Sequence, residues 1–192
     1  MKILAFAASS SSESINQQLA RYTASQFEGA EIEVLDINDY EMPLFSEDRE
    51  RELGQPEPAR RFYAKIAWAD ALIISFAEHN GSYTAAYKNL FDWTSRIDRK
   101  VFQSKPAIYL ATSPGAGGAA NVLSAAVASA PHFGAEVAAS LSVPSFYERF
   151  DGSTGNVTDP ETVQALRRVV ARLRRALSKK AEANSALRDV AA

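Results

Sequence analysis

Three short stretches hold the residues able to do chemistry, and each lies between an apolar run and a helical pattern. The first is Ser9, Ser10, Ser11, Ser12, Glu13, Ser14, Ile15 and Asn16. Ser14 precedes Ile15, Leu19, Tyr22 and Phe27, whose spacing is mostly helical, so it occupies a helix N-cap position. Free backbone N–H groups and the positive end of the helix dipole then face a turn lined with hydroxyls, which suits a phosphate. The plainer alternative is a polar loop, because serine favours turns and caps wherever they occur. The second stretch is Ala77, Glu78, His79, Asn80, Gly81 and Ser82, with a glycine able to take positive φ. The third, Thr112 to Gly118, brings Gly115, Gly117 and Gly118 together with the hydroxyls of Thr112 and Ser113.

Composition excludes several other chemistries. The chain has no cysteine, which removes thiol catalysis, disulfides and iron–sulfur clusters. His79 and His132 are too far apart for a recognisable metal motif, so no metal is expected. A net charge of −2 argues against nucleic-acid binding through phosphate neutralisation. The balance is uneven: residues 28–57 carry 11 acids, while Arg167, Arg168, Arg172, Arg174, Arg175, Lys179 and Lys180 crowd one late segment, best read as a solvated helix face. The N-terminal apolar run is too short for a signal peptide, and no run approaches membrane-spanning length. A cytoplasmic protein without a membrane partner is expected.

The elements that must position the three turns follow from periodicity. With 192 residues, one domain is the natural reading, and the pattern assigns it residues 1–180 with a frayed tail over 181–192. Lys2 to Ala7, Ala71 to Phe76 and Ala107 to Ala111 are short apolar runs that suit strands buried on both faces. Glu31 to Asp36 reads as a more peripheral strand and Glu136 to Val143 as a last one. Helical spacing covers Ser14 to Phe27, Ala59 to Trp68, Thr84 to about Arg96, Ala119 to Phe133, and a final helix from Asp159 and Pro160 through Leu177. Residues 46–58 are acidic, hold Pro56 and Pro58, and predict a surface loop with room for a short helix. The segment from Pro144 to Gly155 contains Phe146, Tyr147 and Phe150, more aromatic than a solvated loop needs, and predicts cover by something else.

Five strands alternating with five helices imply an α/β fold, a doubly wound parallel sheet of order 2-1-3-4-5. Ligands of such sheets bind outside the carboxyl ends of the strands, at the switch point, and all three unusual turns fall there.

Over residues 1 to about 177 the chain resembles the NAD(P)H-dependent FMN reductases, a flavodoxin-like family that includes quinone, azo-dye and chromate reductases. The family's phosphate motif, glycine-serine-x-arginine-x-x-serine-x-asparagine, lies over Ala8 to Asn16. Its proline-glutamate-tyrosine-asparagine motif lies over Ala77, Glu78, His79 and Asn80, and continues into Lys88, Asn89, Asp92 and Trp93. The glycine-rich third motif matches Ser113 to Gly118. Ser11 stands where many relatives have arginine, which removes a charge-assisted phosphate partner. Ala77 and His79 replace proline and tyrosine.

The resemblance implies bound FMN, NADPH or NADH as donor, a quinone, free flavin or similar acceptor, and a homodimer or higher homo-oligomer. It assigns cofactor binding to Ser9, Ser11, Ser14, Ile15, Asn16, Ala77, Glu78, His79, Asn80, Gly81, Ser113, Gly115, Gly117 and Gly118, and it needs no catalytic side chain because the flavin carries the chemistry. Plainer roles stand beside these: Glu78 as an anion at the start of a helix, His79 as a surface residue, Asn16 as a brace for the first helix, Lys88 and Asn89 as exposed helix positions, and Trp93 as core. A flavin-binding electron carrier without nicotinamide activity is the rival function. A response-regulator receiver lacks its acidic cluster here, and a dinucleotide-binding fold lacks its G-x-G-x-x-G.

Overall fold

Strands Lys2–Ala8 (β1) and Ala71–Phe76 (β3) are buried on both faces, which is why their sequences are continuous apolar runs rather than alternating ones. In the computed structural model, which describes residues 1–191, they pair in parallel from Ile3 opposite Ala71 to Ala8 opposite Phe76. Glu31–Leu35 (β2) adds to the far side of β1, Lys105–Thr112 (β4) to β3, and Ala135–Val143 (β5) to β4, all parallel. The order is therefore 2-1-3-4-5, as the periodicity predicts.

Successive strand residues face opposite layers. Leu4, Phe6, Leu72, Ile74, Phe76 and Tyr109 enter one core with helices Glu57–Trp68 (α3), Ala85–Ser95 (α4) and Ala120–Ser129 (α5). Ile3, Ala5, Ala71, Ile73, Ile108 and Leu110 enter the other, against Ile15–Ser25 (α1) and the final helix Pro160–Ala191 (α7). Phe62 and Trp93 anchor the first layer, and Leu19, Phe27, Leu166 and Leu173 the second, all essentially inaccessible. Among the described residues no helix is long and apolar enough to cross a membrane.

Two segments differ from their sequence patterns, while the acidic stretch matches the expected surface segment with a short helix. The acidic stretch forms a seven-residue helix, Glu47–Leu53 (α2), capped by the Ser46 side chain and ended by Gly54 at φ +64°. The aromatic stretch folds into a short helix, Phe146–Arg149 (α6), and a ladder pairing Phe150–Asp151 with Asn156–Val157. Phe146 and Phe150 stack at 4.4 Å and are 1% and 5% exposed within the chain itself. The expected outside cover is thus unnecessary for these two, because the chain folds them onto its own α7-side core. Only Tyr147 stays exposed. The second difference is that α7 continues past residue 180, where the pattern predicts a frayed tail. Leu177 is packed against the core, and the exposed residues Ala181, Glu182 and Ala183, strong helix formers, carry the helix onward. Ala192 lies outside the described residues.

Candidate functional site

The carboxyl ends of β1, β3 and β4 meet at one edge of the sheet. After β1 the serine turn leads into α1, and Ser14 is its N-cap, its hydroxyl accepting from the Gln17 N–H at 3.3 Å. The Ser9 hydroxyl accepts from the Ser11 N–H, also at 3.3 Å. No described residue accepts from the backbone N–H groups of Ser12, Glu13, Ser14, Ile15 or Asn16. A row of unclaimed donors at a helix N-terminus, beside hydroxyls that still have a proton to give, is an anion cradle.

Asn16 holds this turn against the other two. Its Oδ1 accepts from the Ser75 hydroxyl at 2.7 Å and from the Thr112 N–H at 3.1 Å, while Nδ2 donates to the Thr112 carbonyl at 3.2 Å. One buried amide therefore ties α1 to the ends of β3 and β4, and the bracing role fits its side chain. Thr84 makes a similar link: its hydroxyl donates to the Ala8 carbonyl at 3.0 Å while capping α4 through the Tyr87 N–H.

After β3 the chain makes a tight hairpin in which Glu78 pairs with Tyr83 and His79 with Ser82. Asn80 and Gly81 form its tip at φ +52° and +78°, the left-handed pair of a type I′ turn. The Glu78 carboxylate turns away from the tip, accepting from the Val122 N–H at 2.9 Å and Asn121 Nδ2 at 3.2 Å. It caps α5, whose own N-cap, Ala119, is left-handed and offers no side-chain acceptor. Of its two sequence readings, the anion at a helix start is the one this geometry carries, although the helix is α5 rather than the one that follows it. His79 is exposed.

After β4 two carbonyls of the glycine turn are satisfied internally, while the N–H groups of Ser113, Gly115, Ala116 and Gly117 donate to no described residue. The Gly115 carbonyl accepts from the N–H groups of Gly118 and Ser145 and from the Ser113 hydroxyl, and the Ser113 carbonyl accepts from the Phe146 N–H. Only Gly118 is sterically required. It sits at φ +57°, and a Cβ there would meet Ser142 Oγ at 2.3 Å and the Pro144 backbone nitrogen at 3.1 Å, whereas at Gly115 and Gly117 a Cβ would meet nothing within 4 Å.

Two clefts open at this edge. One, about 200 Å³, is lined by Ser9, Ser11, Ser14, Ile15, Asn16, Ala77, Glu78, His79 and Ser113, all expected from sequence. Asn80, Gly81, Gly115, Gly117 and Gly118 do not line it. Glu13, Thr112, Pro114 and Tyr147 complete the lining without having been among the expected binding residues. Tyr147, 70% exposed, borders this cleft. No lysine or arginine lines this cleft, and Glu13 is its nearest formal charge to the serine turn.

The other cleft, about 500 Å³, lies between Ser10, residues 37–44 and the start of α4. Asn38 Nδ2 donates to the Ser10 carbonyl at 3.2 Å, joining its wall to the serine turn. Asn89 is a clamp and not a free surface position: Oδ1 accepts from the Phe45 N–H at 2.8 Å, and Nδ2 donates to the Met42 and Pro43 carbonyls. Trp93 is core, as expected, with its indole N–H on the Pro43 carbonyl at 2.8 Å. Lys88 is exposed, also as expected, and pairs with Asp92 at 2.6 Å. Burial pushes the Tyr40 phenol above its ordinary range, so this wall presents a neutral hydroxyl.

Comparison with known proteins identifies the family of the chain. Among solved structures, the flavoenzyme NAD(P)H:(acceptor) oxidoreductase FerB of Paracoccus denitrificans superposes with a TM-score of 0.74 at 27% identity, over 93% of this chain and 97% of that one. Among curated proteins, an NAD(P)H-dependent FMN reductase of Pseudomonas aeruginosa is 40% identical over 92 residues, 48% of each chain. A 2-hydroxy-1,4-benzoquinone reductase of a Burkholderia species is 37% identical over 122 residues, 62% of this chain and 64% of that one. The chain thus spans about half the length of the first curated relative and just under two thirds of the second. A family model described as NADPH-dependent FMN reductase matches residues 1–148, which contain all three turns, and the chain belongs to that family.

Proposed function

We propose that this chain is an NAD(P)H-dependent flavin oxidoreductase that holds FMN at the carboxyl edge of β1, β3 and β4 and passes reducing equivalents to a quinone, a free flavin or a similar acceptor. The observation that carries this reading is the row of unclaimed N–H groups from Ser12 to Asn16, a donor set that fits a phosphate and that the protein itself leaves without acceptors. The Ser9, Ser11 and Ser14 hydroxyls complete the cradle, and Asn16 keeps it in register with the other two turns. Ala77 and His79, with Ser113 and Tyr147 across the cleft, would flank the ring. The N–H groups of Asn80 and Gly81, which donate to no described residue, are available to its polar edge.

When bound, FMN supplies two-electron exchange with a nicotinamide and then with the acceptor. The protein's share is to hold, orient and shield. No paired acid and base is needed, and none lines the cleft as a hydrogen-bonded couple: Glu78 is spent on α5. Donor and acceptor enter the same edge in turn, which predicts ping-pong kinetics. The phosphate is held by neutral donors alone, so cofactor binding is weaker than with an arginine in the turn.

Residues 1–180 carry this activity as one domain. The chain works as a homodimer or higher homo-oligomer, supported by the resemblance and by Leu44 and Tyr147, which stand exposed at the rims of the two clefts. A cytoplasmic setting goes with a diffusible nicotinamide donor. The test is direct: purified chain reconstituted with FMN is assayed for NADH and NADPH oxidation with a benzoquinone acceptor. Parallel double-reciprocal lines support the reading. Tight FMN that neither nicotinamide reduces turns it into the electron-carrier alternative, and absence of FMN binding removes it.

A further inference from the structure

A more apolar cavity than either cleft at the sheet edge lies away from the serine turn. It lies between α4 and α5, about 340 Å³ in volume, walled by Phe76, Tyr83, Tyr87, Phe91 and Phe133. It shares no lining residue with either cleft at the sheet edge. The rings lock one another: Phe91 meets Phe133 edge-on at 4.7 Å, Phe76 meets Tyr87 at 5.6 Å, and the Tyr83 hydroxyl lies 3.4 Å from that of Ser129. At the rim Lys88 and Asp92 neutralise each other.

At its floor is an anomaly. Tyr109, on β4, is 1% exposed, packs against Phe76 at 5.0 Å, and its hydroxyl has no hydrogen-bond partner among the described residues. A buried phenol without a partner is costly, and most such groups are paired. Burial raises its pKa, so it keeps its proton and is a donor.

We propose that this cavity is a second ligand site, taking an uncharged aromatic carbonyl compound of one or two rings whose oxygen accepts a hydrogen bond from Tyr109. Size supports the class, since a benzene-sized guest occupies a cavity of roughly 150 Å³ and this one has room for a fused second ring. The walls support it too, because ring edges and faces favour a flat aromatic guest. The self-neutralised rim offers nothing to a charged one. The site is independent of flavin binding, so its test stands whether or not the proposed activity does.

The probe is 1-tetralone, a bicyclic aromatic ketone, titrated calorimetrically into the full chain with and without excess FMN. Saturable uptake of one molecule per chain in both conditions is expected. Tyr109→Phe removes a hydroxyl that the fold does not use, so it leaves Tm unchanged or higher and weakens the probe about 5- to 10-fold. Ala126→Leu fills the cavity from α5 and abolishes saturation. No saturable uptake, equal affinity in Tyr109→Phe, or displacement of the probe by FMN overturns the proposal. So does uptake confined to monomers in sedimentation, which assigns the face to a second copy of the chain.

Discussion

Helices α1 and α5 begin at the same edge of the sheet, each after a small-residue turn, yet their N-termini meet different fates. At α5 the anion is supplied by the protein: Glu78 reaches across from the hairpin to the Val122 N–H, and the preceding glycine turn bonds to itself and to Ser145 and Phe146. At α1 Ser14 satisfies one N–H, and five others from Ser12 to Asn16 find no acceptor among the described residues. Both ends have the same dipole and the same appetite for negative charge. The difference lies in what meets the donors: at α5 a carboxylate of the protein takes the Val122 N–H, whereas at α1 the free donors lie among hydroxyls, which is the ground for the proposed phosphate position.

The comparison can be broken most severely at the residue that couples the two ends. Asn16→Ala leaves the Ser75 hydroxyl and both backbone groups of Thr112 unpaired in a buried place, with an expected loss of about 3 kcal/mol of stability, read from urea unfolding. FMN binding should fall with it, because the α1 turn loses its register against β4. An unfolding midpoint like the wild type would show that the hub is dispensable.

Ser14→Ala attacks the open end. Loss of a hydroxyl facing a charged phosphate should weaken FMN by about 1.5–3 kcal/mol, measured by fluorescence quenching. The parallel loss in stability should be smaller, about 1 kcal/mol, since only one cap bond to Gln17 goes. Unchanged affinity would remove the phosphate from this turn.

Glu78→Ala attacks the closed end and should give the reverse ranking: about 1–2 kcal/mol of stability lost through the uncapped α5, with FMN affinity reduced far less than by Ser14→Ala. A deeper loss of binding than of stability would make Glu78 a cofactor ligand after all.

Ser11→Arg sharpens the contrast in the other direction. A guanidinium placed beside Glu13 in a cleft with no lining cation should tighten FMN by about 1 kcal/mol and make the binding salt-dependent, which titrations at two ionic strengths would reveal. Identical constants for the variant and the wild type would mean that position 11 points away from the phosphate.

Much of this was legible in the chain because it is local. Short apolar runs such as Ala71–Phe76 suit strands covered on both faces, and the periodicity between them leads to the observed strand order. Ser14 is a cap by its place before Ile15. Less legible were side chains whose partners are distant. Asn16 reaches Thr112, Glu78 reaches Val122, and Asn89 holds Phe45 from 44 residues away, and nothing in the neighbouring sequence names those partners. Phe146 and Phe150 look like an interface in sequence because an aromatic loop has no visible cover until α1, α7 and the strands close around it.

The sequence by itself determined the layers, the strand order and the three turns, because hydrophobic periodicity and capping act over a few residues. Only the tertiary structure decided which helix start receives a carboxylate, and that Tyr109 lines an aromatic cavity with no hydrogen-bond partner among the described residues. Those outcomes depend on which polar groups meet across the sheet edge, and a donor's availability is known only when every acceptor within reach has been placed.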